Sequence, residues 1–171
     1  MIIRNAELRD YPAILRMNEA DVELLSPMDE EKLRRASELT ELFQVIEKDG
    51  KVCAFQMIYR EGTDYWSDNY KWFSERYDKF LYVDRIVVHK DYRGYGLARM
   101  FYEEVFRHAK AEGVSLVTAE IDIEPVYNAP SMAFHAKMGF SQVGTKLFND
   151  KVTVSLQVKE VTDLRKSPRN A

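Results

Sequence analysis

The sequence predicts an α/β domain of three layers, with helices on both sides of a mixed sheet. Three observations carry that prediction. Apolar runs of strand length alternate with amphipathic helical runs along most of the chain. A strand, a glycine-bearing turn and a helix follow one another between Leu81 and Gly113, and another strand comes next, so this unit is expected to be parallel. Two tight-turn signals, Asp49-Gly50 and Asn149-Asp150, close pairs of strands that are expected to be antiparallel. At 171 residues the chain fits one domain with a substantial core, taken here as 1–164, with 165–171 as a loose tail.

The elements follow in order. "MIIRNAEL" suits a short first strand, and a helix is expected from about Asp10, which can cap it, with Pro12 in its first turn. Ser26-Pro27 breaks that helix, and a second begins near Asp29. The hairpin "FQVIEKDG" and "KVCAFQMIY" comes next, and then residues 61–80, which are rich in aromatics but have no clean period. "LYVDRIVVH" reads as a buried strand. Leu97, Phe101, Val105 and Ala109 mark the inner face of a helix that ends near Gly113. "VSLVTAEIDIE" is a strand, "APSMAFHAKM" a short helix stopped by Gly139, and "FSQVGTKLF" with "KVTVSLQVKEV" the final pair.

Composition narrows the function classes. Twenty-five Lys and Arg against 28 Asp and Glu leave a formal charge of -3, which gives no global pull toward a nucleic-acid backbone or an anionic membrane. The single cysteine, Cys53, cannot form an internal disulfide and reads as a small core residue in a reducing compartment. The first ten residues meet charge at once, and no apolar run reaches membrane-spanning length, so a cytoplasmic protein is expected. His89 and His108 have no cysteine company, and no metal site is expected.

The stretch "VHKDYRGYGLARM" carries the clearest chemical signal. Gly94 and Gly96 permit a tight turn and close backbone approach, Arg93 adds a cation, and the helix opening behind them offers unpaired N–H groups and the positive end of its dipole. An anion such as a phosphate fits there. The residues after Gly96 are Leu97 and Ala98, where a P-loop would have Lys and Ser or Thr. Arg99 stands where a dinucleotide-binding turn would place its third small residue.

With its spacing of Arg93, Gly96 and Ala98, this turn resembles the pyrophosphate loop of the GCN5-related N-acetyltransferase superfamily. "NAPSMAFHAKMGF" resembles that family's later coenzyme-binding helix, through Asn128, Ser131, Phe134, His135, Gly139 and Phe140. The resemblance covers nearly the whole chain. Within the superfamily, "NYKWFSERY" and "FLYVDRIVV" look like a bacterial group of predicted acetyltransferases. The resemblance implies a single three-layer domain with a mixed, mostly antiparallel sheet, and acetyl-CoA as the coenzyme. It implies that Arg93, Gly94, Tyr95, Gly96, Leu97 and Ala98 hold the diphosphate. Ile86, Val87 and Val88 would then pair with the pantetheine arm, and Asn128, Ser131 and His135 would meet the coenzyme from the later helix.

Alternation in "LVTAEIDIEP" places Thr118, Glu120, Asp122 and Glu124 on one strand face, which is unusual for a central parallel strand and suggests a wet cleft there. Amine acetylation gives such acids a task, since carboxylates can attract the cationic amine, accept its proton directly or position a water that relays it. Glu120 is the first candidate and Asp84 the second, although Asp84 can equally pair with neighbouring Arg85. His135 stands where the family often has a tyrosine thought to assist the departing thiolate. His135 and nearby Tyr127 both remain open as the acid, and ordinary packing is an equal reading of His135.

The aromatic segment is read in two ways, as a seal over the sheet or as an acceptor wall formed by Tyr70 and Trp72, with Glu120 and Asp122 as further acceptor contacts. The resulting expectation is an acetyl-CoA-dependent N-acetyltransferase. It acts on a primary amine by direct attack in a ternary complex, with a small-molecule acceptor favoured and a homodimer possible. The alternatives are a protein amine as acceptor, or an acyl-CoA sensor without turnover.

Overall fold

In the computed structural model, residues 1–161 are described. They build a seven-stranded mixed sheet from β1 (Ile2–Asn5), β2 (Leu42–Lys48), β3 (Lys51–Arg60), β4 (Leu81–Val88), β5 (Leu116–Glu124), β6 (Ser141–Phe148) and β7 (Val152–Glu160). The spatial order is β1-β2-β3-β4-β5-β7-β6. Only β4 and β5 pair in parallel, and every other neighbouring pair is antiparallel. The tail 165–171, expected to be loose, lies outside the described residues.

Both tight turns take the backbone that their sequences predict. Asp49 and Gly50 have φ of 51° and 74°, and Asn149 and Asp150 have 49° and 54°, the left-handed pair that matches strand twist in a two-residue hairpin. Helices α1 (Tyr11–Ala20), α2 (Glu30–Ser37), α3 (Asp68–Ser74), α4 (Leu97–Ala111) and α5 (Ala129–Lys137) complete the fold. The Asp29 side chain caps α2 by accepting from the Lys32 N–H at 2.7 Å. Asp10 differs from expectation: its carboxylate accepts from Arg4 at 2.7 and 2.9 Å and from the Glu7 N–H, and it caps nothing in α1. Helix α3 is a further difference. Seven residues, three of them aromatic, are too few to write a helical stripe, and Ser67 caps the turn by accepting from the Tyr70 N–H.

Two apolar layers hold the sheet. Tyr11, Ile14 and Met17 of α1, Leu33 of α2 and Phe73 of α3 pack on Phe55, Met57, Tyr59 and Tyr82 from one side. Tyr102, Val105 and Ala109 of α4 pack on Leu81, Val83, Val117 and Ala119 from the other, joined by Phe134 of α5 and by Met138 at its end. Cys53 is buried beside Leu97 and Phe101. No helix among the described residues is long and apolar enough to cross a membrane, and none of their His, Cys, Asp or Glu side chains cluster as metal ligands.

A bulge in β4 positions the site. Met57 faces Arg85 and Ile58 faces Val83, so Asp84 is the extra residue between them. Tyr82 and Val87 pack in the same apolar layer although they are five residues apart, a parity that strict alternation forbids and one inserted residue restores. The parallel ladder between β4 and β5 runs only from Leu81↔Val117 to Val83↔Ala119. Beyond it the two central strands part, and a cleft opens through the sheet.

Candidate active site

The cleft has a volume of about 940 Å³ and reaches both sides of the sheet. Ala98 and Tyr102 of α4 and Ser131, Phe134 and His135 of α5 line one half. The segments 21–27 and 65–69, Lys32 and the β6–β7 turn line the other, and Asp84, Arg85 and Glu120 stand between.

The first half is made of backbone. Gly94 and Gly96 have φ of 82° and 80°, a conformation that costs an L side chain about 1–2 kcal/mol. A Cβ at either would meet nothing within 4 Å, so the dihedral alone demands glycine. Gly96 occupies the capping position of α4, no side chain caps the helix, and its first turn holds no acid. The N–H groups of that turn therefore point outward with the positive dipole end, as a diphosphate requires. On β4, Ile86, Val87 and Val88 pair with Gln56, Phe55 and Ala54 along one edge, while the other edge has no strand beside it past Val83. An extended amide-bearing arm fits that open edge.

The structure distributes the sequence-predicted coenzyme residues unevenly. Ile86, Val87, Ala98, Asn128, Ser131 and His135 line the cleft. Arg93, Gly94, Tyr95 and Gly96 form the exposed turn beside it, the Leu97 side chain is buried in the core, and Val88 packs against the apolar group around Leu97. Arg93 donates to both carboxylate oxygens of Asp21 at 2.8 and 2.9 Å and to the Val88 carbonyl, which fixes its cation beside the glycines. Asn128 accepts from the Ser131 N–H and so caps α5, which leaves its amide N–H groups for a ligand.

Side chains make the second half. The Tyr82 hydroxyl donates to Glu120 Oε1 at 2.6 Å, and Glu120 Oε2 is buried without a partner. Burial, then the nearby Asp84 carboxylate, push the Glu120 acid up to about 8, against the Tyr82 hydroxyl and the neighbouring Asn69 amide, which hold it down. Asp122 is also pushed up by burial and lines the cleft two residues further along β5. Asp84 is fully engaged: Tyr65 donates to Oδ1 at 2.9 Å and Arg85 to Oδ2 at 2.7 Å. Arg85 in turn donates to Asn18 Oδ1 at 2.6 Å and to Ser26 Oγ at 3.0 Å, which ties the connection between α1 and α2 to the bulge. Of the two candidate bases, only Glu120 keeps a carboxylate oxygen without a partner.

His135 is buried and locked. Its Nδ1 lies 2.8 Å from the Ser131 carbonyl, which can only accept, so that nitrogen carries the proton and Nε2 accepts from the Tyr102 hydroxyl at 2.6 Å. Burial lowers its pKa as well. Neither ring nitrogen has a proton to give to a thiolate in this arrangement. The hydroxyl-bearing Tyr127 is 57% exposed and does not line the cleft.

The acceptor wall expected from Tyr70 and Trp72 is corrected. Tyr70 is 2% exposed; its hydroxyl donates to the Arg60 carbonyl at 2.6 Å and accepts from the Thr63 N–H. Trp72 carries Arg76 over its ring at 3.8 Å and lies against Gly144 of β6. Neither lines the cleft, because the seven-residue α3 turns their side chains onto the sheet and toward β6. The aromatics that do line it are Tyr65, Trp66, Tyr102, Phe134 and Phe148. Sequence reasoning missed Asn69, which lines the cleft while 5% exposed, and Tyr82. Only the adjacency of Asp84 and Arg85 signalled any of this network.

The family model described as "Acetyltransferase (GNAT) family" matches residues 3–140. Comparison with curated protein sequences returned no match. Among solved structures, the ribosomal-protein-S18-alanine N-acetyltransferase from Escherichia coli is similar at 17% identity and TM-score 0.70, with 97% of each chain covered. Ard1 from Thermoplasma volcanium gives 13% identity and TM-score 0.77, over 95% of this chain and 98% of that one. A putative acetyltransferase, yncA, from Salmonella typhimurium, solved with acetyl-CoA, gives 19% identity and TM-score 0.69 over 95% of each chain.

Proposed function

We propose that this chain, which belongs to the acetyltransferase (GNAT) family, moves an acetyl group from acetyl-CoA directly to a primary amine of a small molecule, with Glu120 taking the amine proton. Acetyl-CoA, when bound, supplies the activated acetyl thioester. The observation that carries the reading is the place of Glu120. It stands where β4 and β5 part, between the glycine-turn half and the half lined by Trp66 and the 21–27 segment, with one carboxylate oxygen unpartnered.

The residues have separable tasks. The N–H groups after Gly96 hold the diphosphate, and the open edge of β4 at Ile86 and Val87 aligns the arm behind it. Asn128 and Ser131 border that arm from α5. On the acceptor side, Glu120 and Asp122 draw a cationic amine inward, and Asp84 acts through Glu120 by raising its pKa. A carboxylate at about 8 is far better matched to the proton released by an attacking amine than one at 4.5, so it takes that proton without a large uphill step, the ammonium having given its first proton to solvent. His135 and Tyr102 shape the wall where the thioester would lie, and thiolate departure at a pKa of about 8.5 needs no acid from them.

The test is Glu120→Gln. Turnover of amines by the unaltered enzyme is expected to rise with pH through about 8, as Glu120 ionises. The variant should lose roughly a hundredfold in kcat near neutral pH, keep its coenzyme affinity by calorimetry, and recover part of the loss at high pH where solvent takes the proton. The linkage sign supplies a second readout. Native Glu120 keeps its proton between pH 4.5 and about 8, where the unfolded chain has released it, so stability falls with rising pH across that window by up to about 1.4 kcal/mol per unit. The variant lacks this slope and should melt higher than the parent at pH 9 but not at pH 4.5. Equal turnover across pH would remove Glu120 from the chemistry.

A further inference from the structure

Asn69 is the residue that neither the sequence pattern nor the function above accounts for. It sits in the first turn of α3, is 5% exposed, and lines the cleft. Its Oδ1 has no hydrogen-bond partner. Among the described residues three buried side-chain polar atoms lack a partner, and two of them, Asn69 Oδ1 and Glu120 Oε2, belong to this one cleft. The Asn69 amide also stands within hydrogen-bonding influence of the Glu120 carboxylate, so the two side chains border the same spot. Buried acceptors are normally satisfied, and two left without partners in one cleft call for a ligand that brings two donors.

A neutral primary amine has that shape. Its nitrogen carries two N–H groups and one lone pair, so bonding both hydrogens leaves the lone pair free to attack the thioester carbonyl. We propose that Asn69 is a specificity-determining residue of the acceptor site, whose Oδ1 accepts one N–H of the attacking amine while Glu120 Oε2 accepts the other. As the C–N bond forms and the thiolate leaves, the nitrogen becomes cationic and Glu120 takes the proton it already holds by a hydrogen bond; Asn69 keeps the second N–H and gains no proton. A secondary amine has one N–H when neutral and must leave one of the two oxygens unsatisfied. The pair therefore discriminates against N-methylated acceptors. This inference rests on the reading of Glu120 given above.

The experiment uses the full chain with acetyl-CoA and two matched pairs of probes: 2-phenylethylamine with its N-methyl derivative, and alanine amide with N-methylalanine amide. In the parent enzyme kcat/KM is expected to favour the primary member of the accepted pair by roughly tenfold or more. Asn69→Leu, of similar size with no acceptor, should raise KM for the primary amine about tenfold, shrink its advantage over the N-methyl partner to about twofold, and leave coenzyme affinity unchanged by calorimetry. Asn69→Asp retains an acceptor oxygen at the same place and should restore the preference, which a merely structural role would not do. An unchanged primary preference in Asn69→Leu overturns the proposal, as does a joint loss of acceptor and coenzyme affinity. If Asn69→Leu fails to fold, Asn69→Asp with no primary preference overturns it. Loss of the preference in Asn69→Leu while Glu120→Gln remains fully active would overturn the Glu120 reading and leave Asn69 as the sole selector. Parent enzyme that turns over none of the four amines overturns both.

Discussion

The two halves of the cleft are built from different material. The coenzyme half is backbone: helix N–H groups behind Gly94 and Gly96, and the unpaired edge of β4. The acceptor half is a web of mostly buried side chains, in which Tyr65, Asp84, Arg85 and Asn18 are joined by hydrogen bonds that end on the exposed Ser26, while Tyr82 holds Glu120. A backbone site tolerates many side chains but few conformations. A side-chain site tolerates backbone drift poorly and depends on every partner. The first half should therefore break by changing dihedrals, and the second by removing one member of the web.

The largest effect is expected where the web is most buried. Arg85 and Asp84 have side chains 4% and 7% exposed, so Asp84→Ala leaves a guanidinium without its counter-ion in the interior. A loss of roughly 3–5 kcal/mol in unfolding free energy is expected by chemical denaturation, since breaking one partner of a buried pair strands the other. Removing that carboxylate also removes a cause of the raised Glu120 pKa, so in the folded fraction the rise of turnover with pH should move to lower pH. A stability change under 1 kcal/mol would mean that Arg85 finds enough compensation in Asn18 and Ser26, and the web would be looser than its geometry suggests.

Gly96→Pro probes the other half. Proline fixes φ near −65°, and the turn requires 80° at this position. The helix start would be re-aimed while the acceptor web stayed in place. Coenzyme affinity by calorimetry should fall about a hundredfold or more, or about 2.7 kcal/mol, with the pH dependence of stability attributed to Glu120 intact. An affinity within threefold of the parent in a folded variant would place the diphosphate elsewhere.

This contrast also explains what was legible in the sequence. Both hairpins and the glycine turn were readable because each is encoded within a few consecutive residues: Asp49-Gly50, Asn149-Asp150, Gly94 to Ala98. The row of acids on β5 was readable because alternation is local, and Glu120 and Asp122 do line the cleft. The web was not readable, because Asn18 and Arg85 are 67 positions apart and Tyr82 and Glu120 are 38 apart. The bulge that turns Arg85 toward α1 is a property of the pairing between β3 and β4, and no run within β4 announces it. His135 stands where the resemblance placed it, but its proton is set by Tyr102, 33 residues away.

The smallest effect on the site is expected at Trp72, and it sharpens where the acceptor half ends. Its ring reaches β6 at Gly144, where a Cβ would come within 3.1 Å of the indole, so glycine there makes room for the aromatic edge. Arg76 covers the opposite side in a cation-π contact. Trp72→Ala removes a half-buried aromatic from this junction and should cost about 2 kcal/mol of stability, below the range for a fully buried tryptophan. Acceptor KM and coenzyme affinity should each stay within about twofold, because no atom of Trp72 lines the cleft. A KM raised tenfold at unchanged coenzyme affinity would show that α3 transmits its packing to Asn69, three residues before Trp72 on the same helix. The boundary of the acceptor half would then lie at β6, beyond the lining of the cleft.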